Sequence, residues 1–422
     1  MTRTALLRLT AAPLLAALAL GGPALAQAPA KPGAKPVKTA SAKPAPLKPE
    51  TAAPRGDFSA FVAGLWPDAQ RAGVSRQVFD AAFAGVTPDP KVVTLTKKQS
   101  EFSKPIWDYV GGSVSGGRIG RAQQMSAQYD STLDSIERRY GVPREIVLSV
   151  WGMESGFGAN TGGMSVIRSL ATLAHARYRG DFFRGELIQA LQIIQAGHVT
   201  PSGMKGSWAG AMGQTQFMPT SYAQFAVDQD GDGHPNIWTS APDALASTAN
   251  YLRQKGWQPG LPWLTEVALP SGMDLSVHRR GYGDWASMGV RRVDGQALPR
   301  SGNANLFLPA GVSGPVFLVG DNFEVIRSYN SSDAYAMGVG HLANRIAGGG
   351  GFSRNWPAKH LSHPERAEVQ KRLSQLGFYR GEADGRHGTK TREALRSFQA
   401  KHGLTTDGYA DFAVLNALRG RK

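Results

Sequence analysis

Apolar residues at helical spacing run through most of this chain and constrain its fold more than any other feature. Near the start of the patterned region, Phe58, Phe61, Val62 and Leu65 recur at i, i+3, i+4 and i+7, which places them on one face of a helix. The same period predicts helices over residues 57–83, 119–140, 143–155, 241–255 and 332–346. It also predicts two helical runs within 163–197, separated by a polar and aromatic turn at 177–183. The chain has 422 residues and no cysteine, so it has room for a large apolar core and no disulfide to replace one.

The helical spacing of apolar residues is lost over residues 304–327, where short apolar runs are separated by Gly, Asn and Asp. The runs are 304–308, 315–319 and 323–327, and their length and β-favouring composition are typical of strands joined by turns. We therefore predict a small antiparallel sheet inserted among the helices. The chain as a whole is predicted to be mainly α, with an α+β organisation.

The first 26 residues have the composition of a secretory signal. Arg3 and Arg8 flank an apolar run over 9–20, and Ala24-Leu25-Ala26 supplies the small residues of a cleavage site. Residues 27–55 are rich in Ala, Pro and Lys, so we predict a disordered, extended linker there. Since no other segment is long and apolar enough to span a bilayer and there is no cysteine for lipid attachment, we expect an exported, soluble, periplasmic protein without a transmembrane segment.

The remaining chain is predicted to form a large helical domain and a small module. The helical pattern occupies residues 56–347, and residues 348–361, which contain Gly348-Gly-Gly-Gly351 and Pro357, form a second linker. In the module, residues 362–420, a segment ending in Asp384-Gly385 is echoed by one ending in Asp407-Gly408. Two related helix–loop units of this kind predict a small helical bundle.

The chain is strongly basic, with a formal net charge of +15. A surface of this charge attracts polyanions, and an exported protein meets a carboxylate-bearing cell wall and anionic membrane surfaces before nucleic acid. No DNA-reading motif is present, so we expect no nucleic-acid partner. A role of the charge in solubility alone stays open at this stage.

A helix over residues 143–155 would carry Val147, Val150, Trp151 and Glu154 on one inward face. A carboxyl group at the end of an apolar stripe is partly desolvated, which is expected to raise its pKa. A carboxyl group that stays protonated near neutral pH can donate a proton to a glycosidic oxygen. The same stretch is also compatible with a surface glutamate at a helix C-terminus.

Residues 206–222 combine small residues with polar side chains. The small residues allow close backbone packing, while Ser207, Gln214 and Gln216 offer groups that can hydrogen bond to a sugar. A tight helix start with polar caps is the alternative interpretation.

Residues 228–236 form an oxygen-rich loop with Asp at alternate positions. Carboxylates spaced in this way can converge on a hard cation such as calcium. The twelfth position of the loop is Thr239 instead of Glu, and Asp243 is the next carboxylate that could close the site. A solvated acidic turn capped by Asn236 is the other possibility.

Three motifs, taken in order, resemble the lytic murein transglycosylase B family: 151–158 (WGMESGFG), 210–219 (GAMGQTQFMP) and 327–332 (RSYNSS). The resemblance runs from about residue 57 to 346. Residues from about 362 to 418 separately resemble the peptidoglycan-binding domain type 1. Together they imply a lysozyme-like helical fold that cleaves the β-1,4 bond between N-acetylmuramic acid and N-acetylglucosamine without water, leaving 1,6-anhydromuramyl ends, and a three-helix wall-binding module.

The resemblance also implies roles for individual residues. Glu154 matches the catalytic acid of the family. Substrate-contacting positions fall on Ser207, Gln216, Tyr329, Asn330 and Tyr335, and a groove position falls on Arg179. The family's calcium site matches Asp228, Asp230, Asp232, His234 and Asp243, which implies a structural calcium ion, while the chemistry itself requires no cofactor. Gln214-Thr215 stands where relatives have a Tyr-Gly pair.

A single carboxyl group suffices for the implied reaction, because the ionised acid can take the proton from the muramyl 6-hydroxyl as that oxygen attacks the anomeric carbon. A hydrolase would usually need a second carboxylate. A hydrolytic muramidase on the same fold and a non-catalytic wall-binding scaffold are the competing hypotheses. The expected partner is the glycan strand of peptidoglycan, bound by a monomer that is able to join cell-wall enzyme complexes.

Overall fold

The computed structural model describes residues 56–96, 105–276 and 278–420. The predicted signal peptide, 1–26, and the predicted N-terminal linker, 27–55, lie outside the described residues. None of the helices within these ranges has the length and apolar character needed to cross a bilayer.

The main domain, residues 56–347, is built of helices around a large apolar core, with a five-stranded sheet at one side that has a second, smaller apolar cluster. Its helices are α1 (Phe58–Ala63), α2 (Trp66–Arg71), α3 (Arg76–Phe83), α4 (Pro90–Thr96), α5 (Ile106–Ser113), α6 (Gly116–Gln128), α7 (Asp130–Tyr140), α8 (Arg144–Ser155), α9 (Val166–His175), α10 (Phe182–Gln195), α11 (Pro219–Phe225), α12 (Ala241–Gln254), α13 (Tyr282–Ser287), α14 (Asp321–Asn330) and α15 (Asp333–Ile346). The prediction of a mainly helical, lysozyme-like fold is confirmed.

The predicted long helix over 119–140 is two helices, α6 and α7, that meet at Tyr129. This residue has φ −112° and ψ 26°, values outside the helical region, and its ring lies against Trp151 with centroids 5.9 Å apart. Tertiary packing on α8 thus interrupts a pattern that local periodicity leaves continuous. The first helix of the pair also starts earlier than predicted, because Ser115 caps its N-terminus by accepting from Arg118 N at 3.2 Å.

The strands are β1 (Met164–Ser165), β2 (Lys205–Gly206), β3 (Leu264–Ala268), β4 (Arg279–Gly281), β5 (Arg291–Arg292), β6 (Asn303–Phe307), β7 (Pro309–Val312) and β8 (Phe317–Gly320). The larger sheet has the order β4-β6-β8-β3-β5 and is antiparallel throughout. Its central pairing sets Leu306 opposite Leu318 and Phe307 opposite Phe317. The predicted antiparallel sheet is confirmed for the runs at 304–308 and 315–319.

The prediction of a third strand over residues 323–327 is wrong, because these residues belong to α14. Phe323, Ile326 and Tyr329 are buried at intervals of three residues, which suits one face of a helix. Asn322 is fully buried just before them, and its side chain accepts from Gln258 N at 2.8 Å and donates to Leu261 O at 2.7 Å. This side chain fastens the start of the helix to the segment after α12, a long-range contact that a short apolar run does not reveal.

The C-terminal module, residues 362–420, contains α16 (His363–Gln375), α17 (Thr389–Lys401) and α18 (Phe412–Leu418) around its own apolar cluster. Its internal echo has a structural counterpart. Gln370 donates to Asp384 Oδ1 at 3.0 Å and accepts from Gly385 N at 2.6 Å, while Gln399 donates to Asp407 Oδ1 at 2.8 Å and accepts from Gly408 N at 2.8 Å. Each unit therefore closes its Asp-Gly turn onto a buried glutamine of its own helix.

Residues 348–361, predicted to be a linker, pack against the main domain. Phe352 stacks on His341 at 4.0 Å between ring centroids and meets Phe317 edge-on at 5.1 Å. Trp356 stacks on Trp107 at 5.5 Å. Aromatic rings bury large apolar areas in such contacts, which holds this segment against the main domain. The segment therefore fixes the path of the chain into the module.

The module docks on the main domain through polar contacts. Asp407 accepts from Val312 N at 3.2 Å, and Arg392 donates to the Asp333 carboxylate at 3.0 Å. The guanidinium of Arg392 also lies 5.7 Å from the ring centroid of Phe307. The docking brings the module beside the N-terminus of α15.

Candidate active site

Glu154 is the penultimate residue of α8, the helix at the centre of the main domain. All seven residues from Ile146 to Gly152 are buried, so the helix is hydrophobic around its whole circumference and belongs to the core. Glu154 itself is half-buried, and its Oε1 atom is excluded from solvent. The partial desolvation that the sequence predicts for this carboxyl group is present.

The backbone turns sharply after Glu154. Gly156, Phe157 and Gly158 have φ values of 59°, 61° and 82°, and a left-handed conformation is costly for a bulky residue such as phenylalanine. The Phe157 ring folds back against α8, so that a Cβ added to Gly152 would lie only 2.6 Å from it. A glycine is thus required at 152.

Two buried tyrosines, Tyr329 at the end of α14 and Tyr335 on α15, lie beside Glu154. Burial, followed by the negative charge of Glu154, raises the pKa of both phenols well above its ordinary value. Their rings are stacked, with centroids 6.3 Å apart. Both hydroxyls therefore keep their protons at every physiological pH. The proton of Tyr329 is donated to Thr215 O at 2.8 Å, so Tyr335 is the phenol of this pair that can donate to the carboxylate.

Tyr251, on α12, is a third member of this group that the sequence analysis missed. Burial and the charge of Glu154 raise its pKa to about 12, although its hydrogen bond to Ser328 acts in the opposite direction. Its ring lies 4.7 Å from that of Tyr329. Tyr251 falls on the buried stripe of α12 with Ala244 and Thr248, and this spacing was the one signal available from the sequence.

Gln214 is a further residue whose place the sequence did not predict. Its Oε1 atom accepts from the Trp151 indole N–H at 2.9 Å, and its Nε2 atom donates to Trp238 O at 3.3 Å. A Cβ on Gly158 would lie 2.7 Å from the same Oε1 atom. Gln214 thus joins α8, the turn after Glu154 and the loop before α12.

Ser207 and Gln216 hold the loops that face this turn. Ser207 Oγ accepts from Ala211 N at 3.1 Å, and Gln216 Nε2 donates to Thr161 O at 3.0 Å. A Cβ on Gly162 would come within 2.3 Å of the Gly206 carbonyl, so the backbones are as close as the small residues suggested. Tyr329 joins the same assembly by donating to Thr215 O at 2.8 Å.

Two cavities lie near residues of this site. The Trp151 cavity, of about 350 Å³, is lined by Trp151, Phe157, Gln214 and Trp238. The interdomain cavity, of about 360 Å³, is lined by Asn330 and Tyr335 of the main domain and by Arg386 and Arg392 of the module. Volumes of this size suit small-ligand sites, and Glu154 is not among the described residues that line either cavity.

Arg179 lies outside this assembly, on the loop between α9 and α10. Its φ is 57°, and its guanidinium lies 5.4 Å from the ring centroid of Tyr178. The structure shows no contact between Arg179 and the residues around Glu154 in the part of the chain that it describes. Its predicted groove role stays a prediction.

The acidic loop brings together three of the five predicted metal ligands. Asp228, Asp230 and Asp232 each place a carboxylate oxygen within 4.8 Å of the others. Asp243 instead accepts from Gln229 N at 2.8 Å and Asn236 N at 2.7 Å, and burial raises its pKa. Asp243 therefore fastens the loop to α12. The His234 ring packs on His198, with centroids 5.7 Å apart.

An all-oxygen set of this kind fits a hard cation such as calcium. Within the described residues the structure brings the side-chain oxygens of the three aspartates together, and the places of His234 and Asp243 in the ligand set stay predictions. Asp228 and Asp243 both accept from backbone N–H groups of the loop.

The transglycosylase SLT domain family matches residues 57–344, and the peptidoglycan binding domain family matches residues 362–418. Among curated proteins, the membrane-bound lytic murein transglycosylase B of Escherichia coli is 35% identical over 226 residues, which cover 52% of this chain and 61% of that protein. The chain thus aligns with somewhat less than two thirds of this relative.

Solved structures share both the fold and much of the sequence. SltB3 from Pseudomonas aeruginosa in complex with NAG-anhNAM-pentapeptide is 45% identical, with a TM-score of 0.82 over 86% of this chain and all of that one. The Escherichia coli lytic transglycosylase Slt35 in complex with calcium is 29% identical, with a TM-score of 0.59 over 71% of this chain and 98% of that one. The family model covers more than half of this chain, and the chain therefore belongs to the transglycosylase SLT domain family, with a peptidoglycan binding domain at its C-terminal end.

Proposed function

We propose that this protein is a peptidoglycan lytic transglycosylase in which Glu154 is the single general acid and base. The observation that carries the proposal is the half-buried carboxyl group of Glu154 near the end of α8, beside the two buried phenols of Tyr329 and Tyr335. The family membership and the relatives named above support the reaction class. The substrate is the β-1,4 bond between N-acetylmuramic acid and N-acetylglucosamine.

In the first step the protonated Glu154 donates its proton to the glycosidic oxygen as the bond to the anomeric carbon breaks. Partial burial favours the neutral acid before the step, because a charge is less stable away from water. Once Glu154 is ionised, the Tyr335 hydroxyl stabilises its charge by donating to it in low-dielectric surroundings. The site thus supports both protonation states in sequence.

In the second step the carboxylate takes the proton of the muramyl 6-hydroxyl while that oxygen bonds to the anomeric carbon of the same sugar. The product is a 1,6-anhydromuramyl end, and Glu154 regains its proton. A hydrolase would use a second carboxylate as nucleophile or base. Asp333, two residues before Tyr335, is paired with Arg392, and the buried Glu186 accepts from Thr220 N at 3.0 Å and from its hydroxyl at 2.8 Å, so these acids are engaged elsewhere.

The other predicted residues receive positioning roles in this proposal. Ser207 and Asn330 orient the sugar through its 2-acetamido group, and Gln216 and Tyr329 fix the loop that faces Glu154. Tyr335 stands beside the acid and donates to it in its ionised form. Arg179 binds the glycan further along the groove.

Asp228, Asp230 and Asp232, with His234 and Asp243 as the remaining predicted ligands, would hold a calcium ion, which would supply structural support to the loop before α12 and take no part in the chemistry. The leader at residues 1–26 directs export to the periplasm. The C-terminal module binds intact wall and keeps the main domain on its polymeric substrate.

Product analysis tests the proposal. Purified sacculi are digested with the wild-type protein and with Glu154→Gln, and the soluble products are examined by mass spectrometry. We expect wild-type products that are one water lighter than hydrolytic products and lack a reducing end, and no soluble products from the variant. Reducing ends would indicate a muramidase, and equal release by both proteins would exclude a catalytic role of Glu154.

A further inference from the structure

The interdomain cavity is enclosed by two parts of the chain that belong to different families. Asn330, Asp333 and Tyr335 line it on the side of the main domain, and Arg386, His387 and Arg392 line it on the side of the module. The contact of Arg392 with Asp333 and that of Asp407 with Val312 hold the two sides together. The module therefore forms a wall of this space.

The lining is strongly positive. Among the described residues that line the cavity, four are arginines, at positions 327, 366, 386 and 392, and one, Asp333, is a carboxylate. Asp333 lies 3.0 Å from Arg392 and 3.8 Å from Arg327, and Arg327 also donates to Glu324 at 2.8 Å. Guanidinium groups still outnumber carboxylates in the described lining, and their attraction for an anion is stronger in a partly enclosed space than at an open surface.

His387 adds a polar group to the same wall. Its Nε2 atom is excluded from solvent and has no hydrogen-bond partner within the described part of the chain. Burial, followed by the charges of Arg366 and Arg392, lowers the pKa of the imidazole to about 3, so the ring is neutral at physiological pH. Buried polar atoms are usually paired, and a ligand in the cavity would supply the missing partner.

The cavity adjoins the reaction centre through Tyr335. Tyr335 lines it and interacts with Glu154, which is not itself among the described residues that line it, and Asn330 lines it from the end of α14. A substituent on the sugar that is cleaved at Glu154 can therefore extend into this space. In peptidoglycan, the muramyl sugar carries a short peptide whose carboxylates are ionised at neutral pH.

We propose that the interdomain cavity binds the carboxylate-bearing peptide stem of the muramyl sugar that is being cleaved, with Arg386 as a principal contact. This inference rests on the proposed function. The C-terminal module then contributes to substrate recognition at the reaction centre in addition to wall adhesion. Guanidinium groups suit this role because they bind carboxylates in a forked, two-bond geometry.

The test compares Arg386→Gln with Arg380→Gln in the full-length protein. Arg380 is an exposed arginine of the same module outside the cavity lining, so both variants lose one charge from the module. The substrates are glycan strands that carry peptide stems and strands from which an amidase has removed them. Loss of a charge-assisted hydrogen bond predicts about a tenfold rise in KM for Arg386→Gln on stem-bearing strands, with no change on bare strands and none for Arg380→Gln on either.

Equal KM values of the wild type on stem-bearing and bare strands would overturn the proposal. An equal rise in KM of Arg386→Gln on both kinds of strand would also overturn it. Calorimetry with the isolated stem peptide provides a measurement that does not depend on turnover. We expect binding to the wild type and to Glu154→Gln, and weaker binding to Arg386→Gln. If the protein bound the peptide but cleaved no glycan, the proposed function would be wrong and the peptide subsite would stand. If it cleaved glycan normally but did not bind the peptide, the subsite would be wrong and the proposed function would stand.

Discussion

The indole N–H of Trp151 donates to the Oε1 atom of Gln214 at 2.9 Å, and both side chains are buried. Trp151 lies on α8 one turn before Glu154, and Gln214 belongs to the loop that packs against Gly158. The hydrogen bond therefore connects the helix that carries the acid with the loop on the other side of the turn.

Gln214→Leu should weaken both folding and turnover. It leaves the Trp151 donor buried without an acceptor, which costs about 1–3 kcal/mol of unfolding free energy. Because Gly158 and the end of α8 rest on the same side chain, we also expect a fall in kcat of roughly 10-fold or more, since small displacements of a catalytic group are costly. Urea denaturation and turnover of glycan strands measure the two effects.

Gln195→Leu is the matched control, because Gln195 is an exposed glutamine whose Oε1 atom accepts from Ser75 N at 2.8 Å. We expect it to leave kcat unchanged. If Gln214→Leu and Gln195→Leu behaved alike, Gln214 would have no special relation to the acid.

Local pattern predicted the helix that carries Glu154, because its apolar spacing and its glycine-rich end are both encoded within a few residues. The partial burial of the acid followed from the same pattern. The contributions of Tyr251 and Gln214 did not, since each depends on which distant segment folds against α8. The strand predicted at 323–327 failed for a related reason, because a run of five residues fits both periods and the buried Asn322 decides between them.

The metal site illustrates the same limit. Alternate aspartates at 228, 230 and 232 are neighbours in sequence, and the structure brings their oxygens together. Asp243 lies further along the chain on α12, and its carboxylate accepts from backbone N–H groups of the loop, as that of Asp228 does. The places of Asp243 and His234 in the ligand set stay predictions.

Gly311→Ala should displace the C-terminal module. Gly311 has φ 67°, and a Cβ there would lie 2.5 Å from Asp407 Oδ2 and 3.1 Å from Tyr409 Cβ. The clash falls on the docking contact itself, so we expect a larger radius of gyration by small-angle scattering and faster proteolysis between residues 347 and 362.

Gly348→Ala serves as the control for Gly311→Ala, because Gly348 has φ 86° and nothing within 4 Å of the added Cβ. Both variants bear the backbone strain of a left-handed alanine, about 1 kcal/mol. Only Gly311→Ala meets the module. Unchanged scattering for Gly311→Ala would show that the module adapts to the added methyl group without undocking.

The free energy of unfolding should fall in mild acid because His341 is buried in its neutral form. Burial, followed by the charge of Arg345, lowers its pKa from 6.5 to about 4. The folded state therefore keeps the ring neutral, while the unfolded state takes up a proton as the pH falls below 6.5. Stability is lost between pH 6.5 and about 4, by up to about 3 kcal/mol, and the effect levels off below that range.

The measurement is the free energy of unfolding of the wild type, His341→Gln and His402→Gln at pH 7 and at pH 4.5. His402 is exposed on the C-terminal module, which makes it a control for removing a histidine. We expect His341→Gln to be less stable at pH 7, because it loses the stacking on Phe352, and to lose less stability on acidification. The same pH dependence in all three proteins would assign the effect to other groups.

Calcium should stabilise the fold through the loop at 228–232. A cation that binds the folded state alone adds about 2.7 kcal/mol at a concentration 100 times its Kd, so calcium should raise Tm and a chelator should lower it. Asp232→Asn removes one charge, while its side-chain oxygen can still accept from His234 N, and it should reduce the calcium-dependent shift. Asp80→Asn, which alters an exposed carboxylate paired with Arg76, should retain the full shift. If millimolar calcium left the wild-type Tm unchanged, or if Asp232→Asn showed the wild-type response, the three aspartates would be a solvated acidic turn whose shape depends on backbone donors alone.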